Sequence, residues 1–319
     1  RLIDMMTEFD LTDLTGISAF ILENSRRATL ERIAALPRQS AQGELTVDGF
    51  DTPITLKVKV TVHADRIVSD FAGTSGLDKK GINCPLVYAK AYACYALKCA
   101  IAPDIPNNSA SLEPFEITAP EGTIVNATRP APVALRHVIG HLIPDTVFGA
   151  LDQILPATVP AEGAGALCNF QVSLRPTRPG GRRSEVLTFN SGGAGARPGL
   201  DGLNATAFPS GVMTMPVEAT EHAGPVIIWR KELRPDSGGA GQHSGGLADA
   251  LGQSQELVGD LLHIAVEVID EHKYFSHGWT PQMNFCADRK SAMATPPAPS
   301  SVTIVPLAFG GRAAASSTT

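Results

Sequence analysis

"FNSGGAGARPGLDGLNATAFPSG", residues 189–211, holds six glycines and shows no helical or strand period. Its reading decides how the chain is organised. It is either a mobile linker or an ordered loop that brings backbone amides close to a ligand. Apolar residues within and around it, namely Phe189, Phe208, Met213, Met215, Val217 and Trp229, favour order over a linker. The surrounding region 189–246 carries 12 of the 30 glycines, and the core SGGAG occurs twice, at 191–195 and 237–241. An acceptor residue precedes each core, Asn190 in the first and Asp236 in the second. Consecutive glycines permit positive φ, so their N–H groups can converge as an anion-binding nest. Bulges and turns at strand ends would use the same glycines. Neither block ends in the Lys-Ser/Thr of a P-loop, and neither sits in a dinucleotide-binding context.

The rest of the chain supplies the frame. Its 319 residues suffice for two domains or one large one with a substantial core. At 43% hydrophobic and 18% charged, the composition is globular and argues against disorder. A net charge of -6 without a basic stripe, and an aromatic content of 6%, set nucleic acid aside as a partner. No apolar run is long enough to span a membrane, and the opening "RLIDMMTEFD" lacks the apolar core of a signal peptide. Five cysteines without a CxxC pair read as reduced thiols, so a cytoplasmic location is expected. The opening resembles neither an initiator end nor a tag, and the chain is expected to begin within a longer polypeptide.

Residues 8–36 carry a helical pattern that Pro37 ends. From 44 to 72 the period becomes two. Ile54, Leu56, Val58, Val60 and Val62 alternate with Thr55, Lys57, Lys59 and Thr61, and "HAD" turns the chain into "RIVSDFAG". A buried alanine-rich helix is expected over 84–102, then a loop, then two short strands in "LEPFEITAPEGTIVNA". "LRHVIGHLIPDTVFGALDQILP" is helical, with Gly140 and Pro144 placed to interrupt its beginning. "CNFQVSLRPT" and "SEVLTFN" frame "RPGGRR" as a hairpin. A second strand group is expected to include "GPVIIWRKELRPDSGGAGQHSGG" and later "DLLHIAVEVIDEHKYF". Strand groups interrupted by a few helices indicate an α+β fold with mainly antiparallel sheets and long ordered glycine-rich loops. The expected organisation is a helical arm (1–40), a main body (41–290) and a Pro/Ala/Ser-rich tail (291–319).

Outside the glycine blocks, His137, His141 and Asp145 are spaced at four residues and would share one helix face, as metal ligands often do. A structural or surface pair of histidines is the competing account. Arg136 offers a fork of donors to a carboxylate or phosphate. Glu218, Glu221 and His222 lie close together, and the charges of "WRKELRPD" read as a solvated strand face. His272 and His277 show no ligand spacing. There is no nucleophile elbow and no HExxH.

The blocks "FNSGGAGARPGLDGLNATAFPSGVMTMPVEATE", "WRKELRPDSGGAGQHSGG" and "APEGTIVNATRPAPV", in their order and spacing, resemble the hydantoinase B/oxoprolinase family. "FAGTSGLDKKGINCPLVYAKAYACYALKC" and "DIPNNSASLEPFEITAPEGT" resemble its central region, and the likeness runs from about residue 25 to 250. The stretch from Arg136 resembles the N-methylhydantoinase branch. The resemblance implies ATP-dependent opening of a cyclic amide: a hydantoin, 5-oxoproline or another lactam. An A-type ATPase subunit would bind ATP and Mg and phosphorylate the ring amide oxygen. The B-type partner would supply a divalent metal that activates water. Related ketone carboxylases share the two-part architecture, and a non-catalytic scaffold is the remaining alternative. The family's metal motifs lie in an N-terminal half without counterpart here, so the ligands are expected outside this chain. On this resemblance Asn190, Ser191, Gly192, Gly193, Arg197, Arg136, Asp236 and Ser237 are the substrate- or anion-binding candidates. Residues 277–299, "HGWTPQMNFCADRKSAMATPPAP", depart from the glycine-rich continuation usual in the family.

Overall fold

The computed structural model describes residues 1–165, 167–174, 184–212, 215–224, 226–255 and 264–268. The "RPGGRR" turn, Met213, His272, His277, Cys286 and the 291–319 tail lie outside the described residues. The chain divides into two compact units, Arg1–Leu45 with Thr55–Val159, and Thr46–Ile54 with Pro160–Thr319.

Two helices open the first unit, α1 (Leu2–Glu8) and α2 (Thr15–Ala34). The helical pattern thus holds, with a break over residues 9–14. Asp13 closes that break by accepting the Thr15 N–H at 2.8 Å. Next come β1 (Ser40–Val47), β2 (Ile54–Val62) and β3 (Ile67–Asp70), and the expected alternation is borne out. Leu56, Val58 and Val60 of β2 are buried, while Lys57 and Lys59 face water. Helix α3 (Leu86–Ile101) then carries the chain across the sheet, and α4 (Ser109–Leu112) is a single turn within the expected loop. Asn108 caps α4, accepting from the Ser111 N–H at 2.9 Å.

Strand β4 (Phe115–Thr118) completes a four-stranded sheet in the order β1-β2-β3-β4. It pairs with β3 in parallel, Ile67 opposite Phe115. The sheet is therefore mixed rather than purely antiparallel. A crossover through α3 returns the chain in the same direction, which a hairpin cannot do. The second expected strand of "LEPFEITAPEGTIVNA" is only an isolated bridge between Gly76 and Thr123. Pro120 and Gly122 leave no room for a longer one.

Helices α5 (His137–Gly140) and α6 (Leu142–Ile154) follow, interrupted at the expected place. Helix α6 packs against α3; α6 buries Leu142, Ile143, Val147, Leu151 and Ile154, and α3 buries Ala93, Ala96 and Leu97. Small alanines on α3 let the two helix axes approach. Lys98 is buried there because its ammonium donates to the carbonyls of Ala102 and Ile105, beyond the helix end. Cys84, Cys94 and Cys99 are free thiols.

In the second unit β5 (Leu167–Leu174) and β6 (Ser184–Ser191) form an antiparallel ribbon, from Leu167 opposite Ser191 to Leu174 opposite Ser184. Residues 217–223, read in sequence only as a charged cluster, form helix α7 (Val217–Ala223). Pro216 precedes its first residue, and Thr220 is its buried position. Strands β7 (Ile227–Leu233), β8 (Asp249–Gln255) and β9 (Ile264–Val268) make an antiparallel sheet with an irregularity at Ile228/Arg230. β8 was not expected. "DALGQSQ" has neither β-branched residues nor strict alternation, and only its two neighbours make it a strand. No described helix is long and apolar enough to cross a membrane.

Candidate functional site

The glycine region is built main chain against main chain. After β6, residues 192–196 run beside 161–164, with Ala164 N–H donating to Gly193 C=O at 3.0 Å and Ala161 N–H to Ala196 C=O at 2.8 Å. The segment 201–206 lies on another side. There Ala194 N–H meets Leu203 C=O at 2.9 Å, and Thr206 N–H meets Gly192 C=O at 3.0 Å. The second block adds Gly246 N–H to Ala194 C=O at 2.9 Å, Gly202 N–H to Ser244 C=O at 2.8 Å and Ala205 N–H to Leu247 C=O at 2.8 Å. The two SGGAG blocks and the loop between them are thus woven into one ordered cluster. A mobile linker is excluded for these residues. The reason for glycine is spatial: a Cβ on Gly193 would stand on the Gly246 carbonyl, and one on Gly246 on the Leu203 carbonyl.

Side chains tie the cluster at its corners. Asp201 accepts the Ser244 N–H at 2.8 Å and lies 3.7 Å from His243 Nδ1. Asn204 accepts the Leu247 N–H at 2.8 Å. Arg197 donates Nε and Nη2 to the Asp201 carbonyl at 3.2 and 3.0 Å, closing its own turn. Asp236 adopts φ +59° in an exposed turn. Ser237 accepts from Ala248 N–H at 2.8 Å and donates to Arg234 C=O at 2.8 Å. Asn190 and Ser191, at the end of β6, are buried at 5% and 4% exposure. Thr188 lies two residues before Asn190 on the same strand face. Thr188 Oγ1 and Asn190 Nδ2 are both buried without a hydrogen-bond partner. Unpaired buried donors cost about 1–3 kcal/mol each, so two on one strand face mark a polar spot that the folded chain leaves unsatisfied.

Six of the eight binding candidates, Asn190 to Gly193, Arg197 and Ser237, therefore belong to or border one glycine cluster, with Asp236 in the turn leading into it. Arg136 belongs to the first unit. It stacks over the Tyr88 ring at 5.3 Å, beside a group that sequence reasoning did not assemble. Tyr88 and Tyr92 hydroxyls are 3.2 Å apart. The Tyr92 and His141 rings lie 6.1 Å apart, and His137 and His141 lie 6.0 Å apart, both edge to face. Gly140 makes room for this, since a Cβ there would strike the Tyr88 ring. Cys84 donates its thiol to the Arg136 carbonyl at 2.9 Å and holds the start of α5.

Burial, and next the Arg136 charge, push His137 below the usual imidazole range. Burial, and next the charge of His137, push His141 down to about 4, and its Nε2 has no partner. Both rings are consequently neutral at pH 7. Burial likewise raises the Cys84 thiol to about 12, which makes it a poor nucleophile. Neutral imidazoles are competent metal ligands. Yet among the described residues no group of three or more His, Cys, Asp or Glu could hold a metal ion. The described residues therefore do not fit a resident metal.

Sequence reasoning missed Thr188, Asp201, Asn204 and His243 around the glycine cluster, and Tyr88 and Tyr92 beside the histidines. The tyrosines had a signal, since their spacing of four places them on one face of α3. The cluster residues had none, because the bonds at Asp201 and Asn204 each span 43 positions.

Comparison with known proteins completes the picture. The hydantoinase B/oxoprolinase family matches residues 1–254. The putative B-type D-/L-hydantoinase subunit of Pseudomonas sp. (strain NS671) is 29% identical over 88% of this chain and 48% of its own length. The 5-oxoprolinase PfmaA of Pestalotiopsis fici is 25% identical over 76% of this chain and 19% of its own. Among solved structures, an ATP-dependent caprolactamase from Pseudomonas jessenii superposes with a TM-score of 0.69 at 23% identity. That likeness covers 84% of this chain and 47% of the other. An acetone carboxylase superposes with a TM-score of 0.62 at 17% identity, over 73% and 34%. The structural likenesses establish the fold. The chain spans about half the length of the Pseudomonas hydantoinase that it matches, and it belongs to the hydantoinase B/oxoprolinase family.

Proposed function

From that membership as premise, we propose that the chain serves as part of an ATP-dependent enzyme that opens a cyclic amide ring. The observation that carries this reading is the family match over residues 1–254. A lactam or hydantoin amide is a poor electrophile. Transfer of the γ-phosphoryl group of ATP to its oxygen, with release of ADP, makes the ring carbon electrophilic. Water then adds there, the ring C–N bond breaks as the nitrogen takes a proton, and hydrolysis of the acyl phosphate so formed releases phosphate and the carboxylate. A partner ATPase of the A type would supply ATP and Mg for the first step. A divalent metal would be held by residues outside this chain. On this reading the assembly is hetero-oligomeric, because phosphoryl transfer and ring opening fall to separate subunits.

On this proposal the glycine cluster is a rigid wall beside the reacting ring. Its amides spend themselves largely on neighbouring carbonyls, so the wall offers side-chain donors rather than an open nest. Asn190 Nδ2 and the Thr188 hydroxyl lack partners and are the donors best suited to meet a ring carbonyl or carboxylate. Arg197 uses two of its five N–H donors within its own turn, and the others would add charge toward a carboxylate or phosphoryl oxygen.

The test is reconstitution with an A-type ATPase, following ATP-dependent opening of hydantoin, 5-oxoproline and caprolactam by product formation. Turnover of any one supports the proposal, and an Arg197→Ala variant with full activity removes Arg197 from the site. The fold likeness to an acetone carboxylase favours a second reading, ATP-dependent carboxylation of a ketone. Bicarbonate-dependent ATP turnover with no ring opening would select it.

A further inference from the structure

Strand β6 buries one face and shows the other. Val186, Thr188 and Asn190 are buried, and they alternate with the more exposed Glu185, Leu187 and Phe189. Two of the buried three are polar, and Thr188 Oγ1 and Asn190 Nδ2 reach no partner. Besides its ladder with β5, β6 packs mainly against α7 and β8. Helix α7 is a weakly anchored cover. Its sequence, VEATEHA, holds Val217 as the one apolar side chain larger than alanine, and Thr220 is its buried position. The Thr220 hydroxyl donates within the same turn, to the Pro216 carbonyl at 3.2 Å. Polar ties to β7 hold the flanks of the helix. Glu221 accepts the Ile228 N–H at 2.9 Å, and the Lys231 ammonium donates to the Met215 carbonyl at 2.6 Å. Buried apolar contact is what makes a packed element hard to open, and α7 has almost none to offer β6.

Two unpartnered polar groups under a cover destabilise the closed arrangement. Lifting α7 gives them to water, and a ligand beneath it satisfies them again. We propose that the junction of β6 and α7 is a binding site that opens when α7 lifts, with Thr188 and Asn190 as its specificity-determining floor. Two steps along a strand set their α-carbons about 7 Å apart. The Asn190 amide nitrogen only donates, whereas the Thr188 hydroxyl donates or accepts. The ligand that fits is a small ring with an acceptor on each side of its N–H. A hydantoin has two such carbonyls, and 5-oxoproline has a carbonyl and a carboxylate. A simple lactam such as caprolactam satisfies one floor group and leaves the other unpaired. That the ring is a cyclic amide rests on the proposed function, while the site and its moving cover rest on β6 and α7 themselves.

The probes are hydantoin, 5-oxoproline and caprolactam, titrated into the full chain by calorimetry. Hydantoin or 5-oxoproline should bind about ten-fold or more tighter than caprolactam. Thr188→Val and Asn190→Leu keep the side-chain shape and remove the unpartnered atom. Each should weaken that binding about ten-fold while the Tm of the free chain stays level or rises, because no internal hydrogen bond is lost. A fall in Tm with both variants makes the two groups structural and overturns the inference, as does binding of no probe or equal affinity for all three. Hydrogen exchange reads the cover. The Thr220 N–H, bonded to the Pro216 carbonyl at 3.2 Å, should exchange about a hundred-fold faster than the slowest β6 amides in the free chain. It should slow about ten-fold or more when the tighter probe is bound. Protection equal to that of β6 without a probe overturns the moving cover. Ring opening in the same mixtures, with the A-type ATPase added, separates the two proposals. Binding that both variants weaken, without turnover, removes the proposed function alone, and turnover unchanged in both variants removes the site alone.

Discussion

The four-stranded sheet with α3 and α6 coheres through side chains, whereas the glycine cluster of residues 161–164, 192–206 and 238–248 coheres through main chain. In the first, Leu56, Ile67, Phe71, Leu97, Leu142 and Leu151 are fully buried or nearly so. Burying each contributes about 1.5–3 kcal/mol, and modest changes of shape can be absorbed by neighbouring side chains. In the second, carbonyls and α-carbons of separate segments touch directly, and Gly193, Gly246 and Ala194 leave nothing between them that can move aside. A side-chain core tolerates substitution by degree. A main-chain core tolerates almost none at its contact points.

That contrast can be broken at its strongest point first. Gly193→Ala places a methyl group on the Gly246 carbonyl and should destabilise the second unit by about 4 kcal/mol or more, read by denaturant unfolding and by loss of amide-exchange protection at Ala194 and Gly246. A loss below about 1 kcal/mol would mean that the segments separate easily, and the main-chain core would lose its meaning.

The next effect is in the side-chain core and depends on pH. His141 has an ordinary pKa near 6.5 when unfolded and about 4 when folded. Above 6.5 the ring is neutral in both states and the full stability is present. As pH falls from about 6.5 to about 4 the unfolded chain binds the proton first, and stability declines by about 3 kcal/mol. A His141→Leu variant should flatten that part of the pH profile. An unchanged profile would place the imidazole in contact with water.

The smallest effect sharpens the contrast from the other side. Gly149 lies on the exposed side of α6, and a Cβ there meets nothing within 4 Å. Gly149→Ala should therefore stabilise the first unit by about 0.5–1 kcal/mol, seen as a small rise in Tm. The same substitution, glycine to alanine, then changes sign between the two regions.

Much of the first region was readable in advance for the same physical reason. Side chains that fill a core must recur with the period of their element, so β2, α3 and the interrupted α5–α6 pair were visible as patterns. The parallel pairing of β3 with β4 was not, because strand direction depends on where α3 returns the chain. In the second region glycine density announced close main-chain packing without revealing the partner. Gly193 and Gly246 lie far apart along the chain, and nothing in either block names the other. Asn190 and Arg197 were legible as polar residues in a glycine loop. Thr188, Asp201, Asn204 and His243 were not, since a lone polar residue carries no period.

By itself, then, the amino-acid order determined the element types, the α+β class, the interrupted helix after Arg136 and, through ordered glycine motifs, the family. Periodicity and glycine spacing are local properties and survive in one dimension. Only the tertiary structure decided which glycines meet, which buried donors on β6 remain unpaired, and how burial and His137 keep His141 neutral. Each of these depends on distances between residues remote in sequence, and no single segment carries that information.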